Sequence, residues 1–405
     1  VATHVPTADR DPAILDVTAP GFAPDSEEVA AARERHWWAR TPIGPLVLRH
    51  EQARDLLADR RFGRGSEQHM ASMGITEGPT YDWWTTGLLN SEGTDHTRLR
   101  GLVQKAFLPR RTEQLRPSAR RTADGLAAAI DPGGCEFAAA FAEPLPALVM
   151  CELLGVPPED YDRFHARAND IGLAFARAIT PEQLPAVDAA ITALSGYIAE
   201  LIAARRAAPG DDLISGLIAA EEAGDRLTPA ELHNLVMILV WAGQDTTARQ
   251  LCRALVTFAE HPDQWRLVAA RPELASRAAD EACRWQPQTL LWRCALEDVA
   301  YDDLEVAAGS MVFMALVAGN RDPRAFAGDP GRFDVTVRNE AANLQFGAGI
   351  HHCLGSRLAL MEVTEAFGAL TAQLGPPELA GEPVWRPPNA AIGGPDVLPL
   401  RFAAR

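Results

Sequence analysis

Phe346-Gly347-Ala348-Gly349-Ile350-His351-His352-Cys353-Leu354-Gly355 carries a cysteine near its end and runs into an apolar-periodic helix. A thiol at a helix N-terminus, amid backbone N–H groups freed by the glycines, loses its proton readily and persists as thiolate. A haem-iron ligand requires that form. A cysteine taken at random is most often a small buried hydrophobe, but the flanking pattern argues otherwise here. A dinucleotide loop would need a glycine where His352 stands, and a phosphate loop would need Gly-Lys-Ser/Thr. A zinc site would want further Cys or His close by, and Cys135, Cys151, Cys252, Cys283 and Cys294 form no C-x-x-C.

The stretch resembles the haem-binding loop of the cytochrome P450 family, F-x-x-G-x-H-x-C-x-G followed by a helix with L-A-x-x-E. Phe346, Gly349, His351, Cys353, Gly355, Leu358, Ala359 and Glu362 supply that pattern. The resemblance implies haem b with the Cys353 thiolate as axial ligand and Phe346 packing beneath the porphyrin. Gly347, Gly349 and Gly355 would let backbone approach the sulfur and the ring. A thiolate donates more electron density into iron than a neutral imidazole does and so favours O–O cleavage. The likeness runs from about residue 40 to the C-terminus, with its motifs in order. It implies a mostly α fold with a minor β region, the haem-thiolate cytochrome P450 fold, in a single large domain over residues 1–405.

Length alone would allow two or three domains, but no Ser/Gly-rich or charged linker divides the 405 residues. Hydrophobic residues make up 47% of the chain, enough for an extensive core. No secretory or transit segment is read at the start, and the apolar run Leu235 to Gly243 is too short for a bilayer. A cytoplasmic protein with no membrane partner is expected. Unclustered cysteines agree with a reducing compartment. A net charge of −16 argues against nucleic acid as a partner. It leaves room for a local basic patch at Arg110, Arg111 and Arg357, for which a solvated helix surface is the equal alternative.

Residues 64–93 read as a long irregular section carrying Tyr81, Trp83 and Trp84, favoured as a pocket wall over a plain surface loop. From Thr94 to about Leu201 the pattern is helical, with breaks at 132–134 and 155–158. Thr228-Pro229-Ala230-Glu231 is a capping box and His261-Pro262 a stop. They predict one helix of about 32 residues, about 48 Å long. Leu304 to Met314 reads as a hairpin turning at Ala308-Gly309. A second long helix after Cys353 presents Val363, Phe367, Leu370 and Leu374 on one face.

Ala242-Gly243-Gln244-Asp245-Thr246-Thr247 interrupts the long helix with polar residues. Glycine in a helix interior costs about 1 kcal/mol, and close approach of a flat cofactor would account for it. A threonine hydroxyl can widen the helix and leave room for a ligand. Taken alone, a simple kink explains the hexapeptide as well. It also resembles the family's oxygen-activation motif, A-G-x-D/E-T-T/S, which implies that Asp245 and Thr246 form the catalytic acid–alcohol pair. Arg249 and Gln250 follow where less polar residues are expected. Glu281 and Arg284 share a helix face, and with Arg332 resemble the family's fold-holding E-x-x-R and meander. His96 and Arg100, four apart on one face, resemble its H-x-x-x-R helix; together with Arg293 and His351 they match the donors to the haem propionates.

The resemblance implies reductive activation of O2 and hydroxylation, or another oxidation, of a small organic substrate. The haem segment lies near the chain's end, so electrons are expected from NAD(P)H through a separate ferredoxin and ferredoxin reductase. Trp83, Trp84, Leu88, Leu239, Val240, Leu291 and Ile392 are the pocket candidates. Their apolar character points to a hydrophobic or amphipathic molecule, such as a secondary-metabolite intermediate. The rival readings are a peroxide-driven haem peroxygenase, which would dispense with Asp245-Thr246, and a non-catalytic haem sensor or carrier, which would have no use for an oxygen-activation motif.

Overall fold

The computed structural model describes residues 11–19, 21–172, 179–222, 227–287, 290–387, 390 and 392–404. The chain forms two compact units, each assembled from separated stretches of sequence. The first comprises residues 1–65, 283–333 and 338–353. Its helices α1 (Glu27–Arg35) and α2 (His50–Ala58) accompany strands β1 (Ala13–Ile14), β2 (Trp38–Thr41), β3 (Gly44–Val47) and β4 (Phe62–Gly63). Further strands are β5 (Leu290–Ala295), β6 (Val299–Tyr301), β7 (Leu304–Val306) and β8 (Met311–Ala315). One sheet has the order β1-β2-β3-β8-β5-β4, with parallel pairs β1/β2 and β3/β8 and antiparallel pairs elsewhere. Successive side chains leave opposite faces of a strand. Trp38, Val47, Val312 and Met314 therefore enter one core, whereas Ala39, Leu46 and Phe313 join the other.

The second unit comprises residues 66–282, 334–337 and 354–405. Its N-terminal part carries α3 (Ser66–Ser72), α4 (Pro79–Thr86), α5 (Gly93–Gln104), α6 (Pro109–Ala128), α7 (Pro144–Leu154) and α8 (Tyr161–Asp170). Then come α9 (Leu184–Ala207), α10 (Leu213–Glu222), α11 (Pro229–Ala242), α12 (Asp245–Glu260), α13 (Pro262–Ala270), α14 (Ala275–Trp285, which passes into the first unit) and α15 (Ser356–Gln373). A short hairpin, β9 (Val384–Trp385) with β10 (Pro395–Val397), lies near the C-terminus. Ala119, Ala123 and Ala127 recur every fourth residue on α6 and are buried where it packs along α15. On α15, Val363, Phe367 and Leu370 are buried, as the periodicity predicts. Helix α9 has the length and hydropathy of a membrane span. Its buried residues, among them Val187, Ile191, Leu194 and Ile198, belong to a helix packed on α4, α8, α10 and α11.

Three local readings change. The irregular section 64–93 contains α3 and α4. Helix α4 has only Gly78 as its own N-cap; Asp188 of α9 accepts Thr80 N at 3.0 Å and Thr80 Oγ1 at 2.6 Å, a cap delivered from 108 residues away. At its other end Asn234 of α11 donates to Thr86 Oγ1 at 2.8 Å. The single long helix is two. The capping box at Thr228 and Glu231 forms as expected, but α11 ends at Ala242 and α12 starts at Asp245. Thr246 Oγ1 donates to Ala242 O at 2.9 Å, and Gly243 weakens the ladder between them. Lastly, β7 pairs with β6 across Asp302 (φ 49°), while β8 pairs with β3 and β5, so Leu304 to Met314 is not one hairpin. The alternation there belongs to strands of two different sheets.

Candidate active site

In the first unit the decisive loop is held by bonds that its own backbone N–H groups donate. Leu344 N donates to Asn320 Oδ1 at 2.8 Å, Gln345 N to Asn343 Oδ1 at 2.8 Å, and Cys353 N to Phe346 O at 2.8 Å. Gly347 and Gly349 take φ of 66° and 70°, which side chains rarely tolerate. A Cβ on Gly349 would sit 2.6 Å from Ala58 Cα and 2.9 Å from Leu57 O, so the loop is pressed onto the C-terminal end of α2. On Gly347 it would meet Leu291 Cδ1 at 3.5 Å and His351 O at 3.9 Å. Phe346 and His351 are half-buried beside it. Helix α15 begins only at Ser356, with Gly355 as N-cap, so Cys353 precedes the helix rather than opening it. Ala359 N donates to Gly355 O at 2.9 Å, and a Cβ on Gly355 would point into open space.

Among the six cysteines only Cys353 is exposed. Burial pushes the thiols of Cys151 and Cys252 up to about 12, which keeps them protonated and inert. The donor set therefore fits a haem: one presented sulfur on a rigid turn, with cationic and imidazole donors on hand for carboxylates. Arg293 of β5 is buried, its guanidinium donating to Trp292 O at 3.0 Å and Leu57 O at 3.5 Å. In the second unit His96 (buried) and Arg100 (half-buried) lie one turn apart on α5.

Asp245 and Thr246 open α12, but the carboxylate is already engaged. Arg386, just beyond β9, donates to both Asp245 oxygens at 2.7 Å, and Arg249 Nε lies 3.5 Å from Oδ1. Arg249, 1% exposed, also donates to Glu143, to Pro395 O at 2.6 Å and to Asp396 at 3.2 Å. His165 of α8 reaches Glu143 Oε2 and Gln244 Oε1, each at 3.3 Å. Burial would raise the Glu143 carboxyl; His165 and Arg249 outweigh it and hold it down at about 2. The bond to Glu143 raises His165 in turn. The unexpected polarity of Arg249 is thus answered by carboxylates from elsewhere in the unit, and Gln250 Nε2 donates to Ala282 O at 3.1 Å. Nearby, burial raises the Glu362 carboxyl well above its ordinary range, against the lowering bond with Thr247.

A Cβ on Gly243 would run into the side chain of Met150 on α7, so packing within the unit is a second reason for glycine there. One expectation needs correction. The Arg332 side chain is exposed; its main-chain carbonyl is what serves, accepting from Arg284 at 3.0 Å. Arg284 also donates to Asn320 O at 2.9 Å and Pro330 O at 2.8 Å, while Glu281 Oε1 accepts Asp334 N at 2.9 Å. Both are buried, as fold-holding residues should be. Of the pocket candidates, Trp83 and Trp84 sit on α4 with rings 6.5 Å apart and Leu88 follows it. Leu239 and Val240 are on α11, Ile392 lies between β9 and β10, and Leu291 is on β5. Sequence reasoning missed Glu143, His165, Arg386 and Asp396. The spacing of Asp245 and Arg249, four apart on a helix, was the one available hint of an ionic cluster.

The chain belongs to the cytochrome P450 family: the model described as "Cytochrome P450" matches residues 165–268 and 273–371. Luteothin monooxygenase of Streptomyces thioluteus is 41% identical over 403 residues, 99% of this chain and 98% of that one. Mycinamicin IV hydroxylase/epoxidase of Micromonospora griseorubida is 38% identical over 346 residues, 83% of this chain and 84% of that one. The crystal structure of the myxobacterial P450 CYP267B1 with myristic acid aligns with TM-score 0.80 and 37% identity, covering 89% of this chain and 90% of that chain. This protein is accordingly a haem-thiolate monooxygenase that acts on a small organic molecule.

Proposed function

We propose that Cys353 is the thiolate that holds the haem, that His96, Arg100, Arg293 and His351 pair with its propionates, and that Asp245 and Thr246 manage protons during oxygen activation. The observation that carries this reading is the presentation of Cys353: the one exposed thiol, on a turn that Gly349 fixes against α2. When bound, the haem supplies an iron centre that activates O2 with externally delivered electrons and inserts oxygen into the substrate. The thiolate supplies charge; Arg293, deeply buried, supplies the counter-charge that a partly buried carboxylate needs. Thr246 Oγ1 spends its hydrogen on Ala242 O, which leaves the oxygen able to accept a proton and pass one on. Asp245 is the adjacent acid.

The relatives' names, a luteothin monooxygenase and a mycinamicin IV hydroxylase/epoxidase, support a hydrophobic secondary-metabolite intermediate as substrate. Trp83, Trp84, Leu88, Leu239, Val240, Leu291 and Ile392 would supply apolar walls. Electrons come from a separate ferredoxin and ferredoxin reductase. Cysteines without disulfides among the described residues support work in the cytoplasm. The test is Cys353→His: the reduced carbon monoxide complex should lose its red-shifted Soret band and turnover should vanish. A thiolate-type band surviving in that variant would overturn the assignment.

A further inference from the structure

Gln244 is 1% exposed at the break between α11 and α12. In an unbroken helix its backbone N–H would donate to Val240 O, four residues back. It donates instead to Trp241 O at 3.2 Å, three residues back, and the side chain reaches round so that Nε2 donates to Val240 O at 3.0 Å. A carbonyl that loses its backbone donor at the break is thus satisfied by an amide side chain, which removes the cost of an orphaned buried acceptor. Thr246 follows on the next turn, with Oγ1 donating to Ala242 O at 2.9 Å.

Val240 O only accepts, so the Gln244 amide has one orientation, with Nε2 on Val240 and Oε1 turned to α8. There His165 Nδ1 lies 3.3 Å from Gln244 Oε1, and His165 Nε2 lies 3.3 Å from Glu143 Oε2. Both partners are acceptors, Glu143 as a carboxylate, so the two bonds exist together only when each ring nitrogen carries a proton. Tyr161 stacks on the same ring, with centroids 5.7 Å apart and planes at 3°. Arg249 donates to the other oxygen of Glu143, which caps α7. The Gln244 amide is therefore oriented from α8 and from the start of α7, two elements outside the broken helix.

We propose that Gln244 is a positioning residue for oxygen activation: oriented by His165, its amide keeps the helix broken between Ala242 and Asp245 and so holds the Thr246 hydroxyl where it handles protons. The inference rests on the reading of Thr246 as the proton-handling alcohol.

The experiment uses the haem-loaded enzyme with Gln244→Leu, Gln244→Glu, His165→Phe, the double variant Gln244→Leu with His165→Phe, and Thr246→Ala. Amide hydrogen exchange across residues 239–248 is the first readout. A plant-type ferredoxin and its reductase then supply electrons in air without organic substrate, and peroxide released per NADPH oxidised is the second. In Gln244→Leu the backbone N–H of residue 244 should return to Val240 O and the helix close, read as exchange about tenfold slower at the break. Gln244→Glu still accepts from His165 but cannot donate to Val240, so it should behave as Gln244→Leu does, and it carries the comparison if Gln244→Leu does not fold. His165→Phe keeps a ring on Tyr161 and removes both N–H groups, so it should shift exchange in the same direction. Each single variant should raise peroxide per NADPH by about half of the rise in Thr246→Ala, and the double variant should add nothing to Gln244→Leu. Exchange that is unchanged or faster would mean that Gln244 only braces a break made elsewhere, and would overturn the proposal. So would a peroxide yield that rises in Thr246→Ala but in neither Gln244 variant, which would leave Thr246 its role, or effects that add in the double variant. Unchanged peroxide in Thr246→Ala would overturn the reading of Thr246 and with it the purpose assigned to Gln244, whatever the exchange shows.

Discussion

The Cys353 loop and the Asp245 cluster are built in opposite ways. The loop is nearly self-sufficient: Cys353 N finds Phe346 O, and Gln345 N is capped by Asn343 two residues away. Its conformation is specified by glycines at positive φ, which any reader of the sequence can see. The cluster gathers Glu143, His165, Arg249, Arg386 and Asp396 around Asp245, with Arg386 drawn from 141 residues away and Asp396 from farther still. The turn that carries Cys353 is thus held by backbone geometry, its own hydrogen bonds and the close approach of Gly349 to α2, whereas the Asp245 carboxylate is held by long-range charge pairing.

The sharpest way to break this contrast is to remove a charge from the cluster. Arg249→Ala strips a cation that is 1% exposed from three carboxylates and should destabilise the enzyme by about 3–5 kcal/mol in urea unfolding. A loss below 1 kcal/mol would show that the carboxylates re-pair or take up protons on their own. The loop should yield instead to backbone changes. Gly349→Ala forces a methyl group to within 2.6 Å of Ala58 Cα at φ 70°, costing about 2–4 kcal/mol, whereas Gly355→Ala, which meets nothing within 4 Å, should cost little. Equal losses for the two glycines would remove the claim that the loop is fixed by its contact with α2.

Protonation separates the regions further. Glu143, held at about 2, contributes stability that is complete above its ordinary value of 4.5 and is lost as pH falls toward 2. His165, raised above 6.5, contributes stability that is complete below that value and is lost as pH rises through its native one. His165→Gln should therefore remove the alkaline limb of the stability profile, about 1–2 kcal/mol, and shrink the acid limb, which Arg249 would then sustain without the bond from His165. An unchanged alkaline limb in thermal melts across pH would place that titration elsewhere. The smallest effect is expected at α4, where Asp188→Ala removes the borrowed cap and should cost about 1 kcal/mol. Helix-content and unfolding measurements on that variant would show whether Trp83 and Trp84 depend on it.

Much of the site was legible in the sequence because its signals are local. The spacing of Phe346, Gly349, His351 and Cys353, the capping box at Thr228 and the face of α15 each depend on residues within a turn or two of one another. The places where the sequence misled are those where a distant partner decides. Helix α4 lacks a cap of its own and folds because Asp188 supplies one. Strand β8 alternates like half of a local hairpin but pairs with β3 and β5.

Residues at short spacing were thus enough to reach the cofactor class and to single out Cys353 and the Asp245–Thr246 pair as candidates, because backbone freedom and side-chain chemistry at short spacing are properties of the chain before it folds. Only the tertiary structure decided who faces Asp245. A buried carboxylate must find a counter-charge wherever the packed chain places one, and no periodicity in residues 245–260 shows that the guanidinium will be Arg386.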